Sequence, residues 1–256
     1  MPATPALPEI RALVLAAGRG ERMRPLTDSC PKPLLEVHGQ PLAQWWVQAL
    51  RVAGVAHIVI NTGWLGEMVE AHFSALPQPA DAARISFSSE ARDFGHALET
   101  AGGVARALPL LAPDASGMFW VIAGDVFAPG FALDAAAVRR FAASDDLAHL
   151  WLVPNPPHKA RGDFGVSADG RATLGEPLHT FSGIGLYRRA LFEAPWCDIA
   201  PGNPQGECAS LAPLLRRAIA AGRAAATLYT GAWSDVGTPE RLEAARTSAT
   251  PATMPA

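Results

Sequence analysis

The sequence predicts an α/β domain in which a mainly parallel sheet is covered by helices on both faces. Two observations predict it. Short apolar runs bounded by turn residues alternate with helical patterns along the first half of the chain, and strands separated by helices need the right-handed crossovers of a parallel sheet. The chain has 256 residues, of which 49% are hydrophobic, enough for the core of one large α/β domain. The layout is Rossmann-like, and ligand loops are expected at the carboxyl edge of the strands.

The elements follow in order. Apolar runs predict strands over residues 12–16, 57–61, 85–88 and 118–123, followed by helices over 41–53, 65–76, about 97–108 and about 135–143. The second half is less regular, with strands over 149–153, 181–187 and 225–229 and a helix over 211–221. No internal repeat or linker divides the chain, so residues 9–246 are expected to form a single domain. The Pro- and Ala-rich ends, 1–8 and 247–256, are expected to be flexible tails because they have little apolar area to bury against their ordering entropy.

Composition narrows the function. A formal net charge of -3, with Lys and Arg scattered outside one segment, argues against a nucleic-acid partner. No run is long enough to cross a bilayer and the first residues lack a signal-peptide pattern. Cys30, Cys197 and Cys208 form no CxxC pair or even set, which fits ordinary thiols in the cytoplasm. The seven histidines show no metal-ligand spacing. Of the tryptophans, Trp45 and Trp46 fall on an amphipathic helix and Trp120 and Trp151 in strands, where core packing is expected; Trp64 follows a strand, nearer the ligand edge.

Residues 15–34, LAAGRGERMRPLTDSCPKPL, concentrate the cations. Gly18 and Gly20 follow the first strand, where backbone N–H groups can approach phosphate oxygens without a Cβ between. Met23 breaks the G-x-G-x-x-G pattern, and no GK followed by Ser or Thr makes a P-loop. Prolines at 25, 31 and 33 exclude an extended helix, so Arg22, Arg24 and Lys32 ride on a long loop over the strand edge. Two readings remain on these residues alone: a triphosphate loop, or a solvated charged loop with Glu21 and Asp28 pairing some of the cations.

The segment resembles the signature of the sugar-1-phosphate nucleotidyltransferases, LAAG-x-G-x-R-[LM]-x-P-L-T followed by P-K-P. The likeness continues from about Arg11 to Leu242 through LETAGG, AGDV, RGDF, TFSGIGLY and WSDVGT. It implies the nucleotide-diphospho-sugar transferase type of fold and a reaction in which a nucleoside triphosphate and a sugar 1-phosphate give a nucleotide sugar and pyrophosphate. By the same resemblance Ala16, Ala17, Gly18, Gly20, Glu21, Arg22 and Lys32 hold the nucleotide with Glu99, Thr100 and Gly102. Asp125 and Asp235 hold Mg²⁺, and Arg22, Lys32 and Asp125 carry catalysis. Asp163, Ser182, Gly183 and Arg161 meet the sugar phosphate.

Read singly, Asp125 and Asp235 also suit turns, Ser182 and Gly183 a plain strand, and Glu99 and Thr100 a helix start. Gly102 and Gly103 are poor helix residues, so a close backbone approach explains them better. Two departures stand out. Residues Ala91–His96 lengthen the family's usual connection before LETAGG. The E-K-P whose lysine meets the sugar phosphate is replaced by Gly175-Glu176-Pro177, which turns the expectation from glucose or mannose enzymes towards UTP and N-acetylmuramate 1-phosphate, the muramate branch of cell-wall recycling. Lys159 and Arg161 are the nearby basic substitutes. The alternatives are a mannose-1-phosphate guanylyltransferase or another hexose-1-phosphate enzyme, and, more distantly, a non-catalytic nucleotide-sugar sensor. No hexapeptide repeats of a left-handed β-helix are present, so no second, acyl-transfer activity is expected.

Overall fold

A computed structural model describes residues 10–77, 83–113 and 117–248. The central sheet has seven strands: β1 (Arg11–Ala16), β2 (His57–Thr62), β3 (Arg84–Ser89), β4 (Met118–Ala123), β5 (Ala148–Val153), β6 (Thr180–Arg188) and β7 (Ala224–Leu228). Their order is β7-β5-β6-β4-β1-β2-β3. Only β6 runs antiparallel to its neighbours. The mainly parallel sheet and its alternation with helices are as the sequence predicts.

Seven helices of five or more residues accompany it among the described residues: α1 (Leu42–Val52), α2 (Gly66–Ser74), α3 (Glu90–Phe94), α4 (Glu99–Leu111), α5 (Ala135–Ala143), α6 (Leu211–Ala220) and α7 (Pro239–Thr247). The two-residue period of β1 divides them between faces. Ala12 and Val14 share a core with Trp46, Val47 and Leu50 of α1, Val69 and Phe73 of α2, and Phe141 of α5. Leu13 points the other way, into a core with Val104 and Leu108 of α4 and Leu214 and Leu215 of α6. Trp46, Trp120 and Trp151 are buried as expected.

The chain lays down β1, β2 and β3 side by side, then returns to place β4 on the other side of β1. Such a reversal opens a crevice at the carboxyl ends of the two central strands. A third, smaller core joins Met23, Leu35 and Val37 to Phe127, Val236 and Leu242. It ties the cation-rich segment to residues more than 200 positions away in the chain.

Boundaries differ where tertiary contacts supply partners. The helix expected to end near residue 108 continues through Pro109 to Leu111. Proline cannot donate to the carbonyl of Ala105, and Gly202 N–H donates to that carbonyl instead, at 2.8 Å. The segment over 22–32 is built of one-turn pieces, Glu21–Met23, Leu26–Ser29 and Lys32–Leu34, in keeping with its prolines. At the far end α7 includes Thr247, and Ser248 N–H donates to Ala244 O at 3.0 Å; the rest of the expected C-terminal tail, and residues 1–8, lie outside the described residues.

Candidate active site

β1 ends at Ala16 and releases the chain into the crevice. Gly20 adopts φ 68°, a left-handed conformation in which a side chain would be strained, and a Cβ there would stand 3.1 Å from Thr27 Cγ2 and 3.3 Å from Lys32 Cβ. Thr27 closes the turn, its hydroxyl donating to Gly20 O at 2.9 Å. Arg19 stacks 3.7 Å over the Trp64 ring while donating to Thr27 O at 2.9 Å and pairing with Asp28 at 3.0 Å. Trp64 Nε1 also donates to Thr27 O, at 2.9 Å. Arg24 pairs with Asp28 at 3.0 Å, and Glu21 lies 3.7 Å from both Arg19 and Arg24.

The other two cations of the segment make no ion pair within it. Lys32 is nearly buried, at 9% exposure, and its ammonium pairs with the carboxylate of Asp125. Arg22 is exposed and forms no hydrogen bond or ion pair among the described residues; its Nη2 lies 3.3 Å from where a Cβ on Gly237 would stand.

Behind this loop runs a buried polar chain that the sequence reading did not anticipate. Ala16 N–H donates to Asn61 Oδ1 at 2.6 Å, Asn61 Nδ2 to Glu90 Oε1 at 2.7 Å, and Leu98 N–H to Glu90 Oε2 at 2.8 Å. It fastens the ends of β1 and β2 to the entries of α3 and α4. Glu90 is wholly buried, and burial pushes its carboxyl up from the ordinary value while the bonds from Leu98 and Asn61 oppose that shift. A polar Asn in the apolar run HIVINT and a Glu closing RISFSSE are the signals in the sequence that could have found it.

Residues Ala91–His96 lie along α3 and the turn after it, where Arg106 pairs with Asp93 at 2.6 Å and stacks over Phe94. The close approach expected at the LETAGG glycines is to protein. A Cβ on Gly102 would stand 2.4 Å from Glu207 O, and one on Gly103 would stand 2.5 Å from Glu90 Oε1. Gly102 therefore packs behind the cavity wall and is absent from its lining.

Two adjoining cavities occupy the crevice. One, of about 260 Å³, is lined by Ala16, Ala17, Gly18, Lys32, Asn61, Glu90, Glu99, Thr100 and Asp125. The other, of about 500 Å³, is lined by Lys159, Asp163, Phe164, Phe181, Gly183, Tyr187, Leu215 and Arg216 among others. Leu15, Glu99, Thr100 and Ala123 border both. Glu99 holds φ 58°, a conformation costing a non-glycine residue about 1–3 kcal/mol, and its carboxylate accepts from the Ser210 hydroxyl.

In the larger cavity Asp163 accepts from Lys159 at 2.6 Å and from Phe181 N–H at 2.8 Å. A bulge in β6 sets Gly183, at φ 82°, into the wall. Ser182 is buried, its hydroxyl accepting from Ile184 N–H at 3.2 Å, and it lines neither cavity. Gly20, Glu21, Arg22, Arg161 and Asp235 likewise lie outside both linings. Arg216, on α6, lines the larger cavity and was not singled out by the sequence.

Asp125 and Asp235 are brought together by backbone pairing. Asp235 pairs with Val126, and Val236 N–H donates to Asp125 O at 2.9 Å. Arg241 holds both oxygens of Asp235 at 2.7 Å, with His158 Nε2 at 3.1 Å from Oδ1. Among the described residues no group of three or more His, Cys, Asp or Glu is arranged to hold a metal. Two carboxylates with the remaining positions left to phosphate and water are the donor set that Mg²⁺ accepts.

The fold and this crevice define a nucleotide-handling α/β enzyme, and comparison with known proteins gives its class. Residues 11–250 match the family model of nucleotidyl transferases. The chain belongs to that family, and it is a sugar-1-phosphate nucleotidyltransferase.

It is similar to the N-acetylmuramate alpha-1-phosphate uridylyltransferase of Neisseria meningitidis, at 43% identity over 93% of this chain and 97% of that one. The enzyme of the same name from Caulobacter vibrioides is 35% identical, with 91% and 94% covered. The mannose-1-phosphate guanylyltransferase catalytic subunit beta of Danio rerio is 38% identical over only 46% of this chain and 31% of its own. A solved structure described as a putative glucose-1-phosphate thymidylyltransferase from Bacillus anthracis superposes with a TM-score of 0.75 at 19% identity, covering 93% of this chain and 94% of that chain, which shows the shared fold.

Proposed function

We propose that the protein joins UTP to N-acetylmuramate 1-phosphate, releasing pyrophosphate and forming the nucleotide sugar, and that it works in the cytoplasm as a step of cell-wall recycling. The observation that carries the reading is the divided crevice: one cavity with the glycine loop, Lys32 and Asp125, the other with Asp163 and Gly183, meeting at Glu99 and Thr100. Residues 9–246 are taken as one catalytic unit. The choice of base and sugar is supported by the two similar uridylyltransferases and by Gly175-Glu176-Pro177, which offers no lysine to the sugar phosphate.

An oxygen of the sugar phosphate bonds to the α-phosphorus, and the bond from that phosphorus to the β-bridging oxygen breaks as pyrophosphate leaves. The attacking oxygen is already ionised near neutral pH, so no general base is required. The barrier is the meeting of anions, and the chain answers it with placed cations. Lys32 supplies a nearly buried ammonium beside the reacting phosphate, and Arg22, unpaired, covers the departing pyrophosphate. The amides of the glycine loop hold the phosphates that do not react. Mg²⁺ held by Asp125 and Asp235 would supply positive charge between the two substrates.

The test is pyrophosphate release with UTP, GTP and dTTP crossed against the 1-phosphates of N-acetylmuramate, N-acetylglucosamine, glucose and mannose in Mg²⁺. UTP with N-acetylmuramate 1-phosphate is expected to be the best pair. Turnover confined to GTP with mannose 1-phosphate overturns the reading.

A further inference from the structure

Three cationic side chains line the crevice, and two are committed: Lys32 to Asp125, and Lys159 to Asp163 at 2.6 Å. The third, Arg216, makes no hydrogen bond or ion pair among the described residues. Its neighbour on α6, Arg217, is spent on the carbonyls of Trp196 and Pro195 at 2.8 and 2.6 Å. The acids of the same wall do not capture Arg216. Asp163 is held by Lys159 and by Phe181 N–H, and Glu99 by the Ser210 hydroxyl. The guanidinium stands 5.7 Å from the centre of the buried Phe164 ring, a face that orients it.

Arg216 is exposed and borders a largely apolar cavity. A guanidinium there with no partner among the described residues suits an anion brought by the ligand, and its planar fork matches a carboxylate in two hydrogen bonds. Position decides which anion. The reacting phosphates meet beside Lys32 and Asp125, which line the smaller cavity, whereas Arg216 lines only the larger one. We propose that Arg216 reads a carboxylate carried on the sugar away from C1, the lactyl group by which N-acetylmuramate differs from N-acetylglucosamine. The inference rests on the reading above that the larger cavity takes the sugar.

Calorimetric binding of UDP-N-acetylmuramate and UDP-N-acetylglucosamine to the full chain tests it, in wild type, Arg216→Gln and Arg216→Lys, with melting curves to verify folding. The wild type is expected to favour the muramate compound, and Arg216→Gln to lower the ratio of the two affinities about 10- to 100-fold. Arg216→Lys, which keeps the charge and loses the fork, should recover part of the ratio and carries the test if the glutamine variant does not fold. An Arg216→Gln ratio equal to that of wild type overturns the proposal, whether both affinities fall together, as for a phosphate contact or a structural role, or neither moves. A wild type with no preference also overturns it. Wild-type protein that binds neither nucleotide sugar points instead to failure of the substrate reading.

Discussion

In the smaller cavity Lys32 and Gly18 come from one contiguous stretch, whose turns are closed by Thr27, Arg19 and Trp64. In the larger cavity the wall is gathered from the ends of β4 and β6, the loop around Lys159–Phe164, and α6. The first draws its charge from neighbouring residues of the chain; the second is an apolar pocket with few polar groups placed one at a time. On the proposed reading, charge carries the chemistry and shape with a single arginine carries the choice of sugar.

The largest effect belongs to the charge side of this comparison. Lys32→Ala, Arg22→Ala and Asp125→Ala are each expected to lower kcat by about 100-fold or more while staying folded. Steady-state pyrophosphate release checks this, and wild-type-like turnover in any of them removes that residue from catalysis.

The support behind the nucleotide loop comes next. Gly103→Ala would place a Cβ 2.5 Å from Glu90 Oε1, in a chain of hydrogen bonds with no room to yield. A loss of about 2–3 kcal/mol in denaturant unfolding is expected, the cost of overpacking and of disturbing buried hydrogen bonds. A loss under half a kcal/mol would show that the chain can rearrange.

A pH effect of similar size, from a residue that lines neither cavity, serves as a control. His149 is held down from 6.5 to about 4, first by burial and then by Arg140. Between those values the unfolded chain binds the extra proton and the folded one does not. Its contribution is therefore fully present above pH 6.5 and lost as pH falls to about 4, to the extent of about 3 kcal/mol. His149→Gln should flatten stability over that window in equilibrium unfolding, and an unchanged slope would exclude His149 as its source.

The smallest effect lies in the wall of the larger cavity. The Tyr187 hydroxyl is buried with no hydrogen-bond partner among the described residues. Tyr187→Phe removes an unsatisfied donor and is expected to leave stability unchanged or raise it by up to about 1 kcal/mol. A clear fall in Tm would reveal a partner for that hydroxyl.

How much was legible follows the same division. Alternating apolar runs and helical periods located the sheet, because those patterns are local. Four arginines and lysines in residues 15–34 could be seen, with Asp28 as a local partner for some of them, yet the stacking of Arg19 on Trp64, the pairing of Lys32 with Asp125 and the lack of a partner for Arg22 among the described residues depend on contacts that only the fold makes. The adjacent Arg216 and Arg217 read identically in LLRR; one helical step turns one to backbone carbonyls and the other to the cavity.

Asn61 and Glu90 sit at the ends of different strands, so no spacing links them. Gly102 and Gly103 were recognised as positions of close approach, but what approaches could not be read from the chain.

By itself, then, the sequence determined the layered α/β architecture and the position of the cation-rich loop after the first strand, since each is written in neighbouring residues or local periodicity. The tertiary structure decided which cations stay unpaired among the described residues, which glycines face protein and which of two adjacent arginines lines the larger cavity. Those properties depend on partners supplied by remote segments, and hydrogen bonding and burial assign them only when the chain has closed.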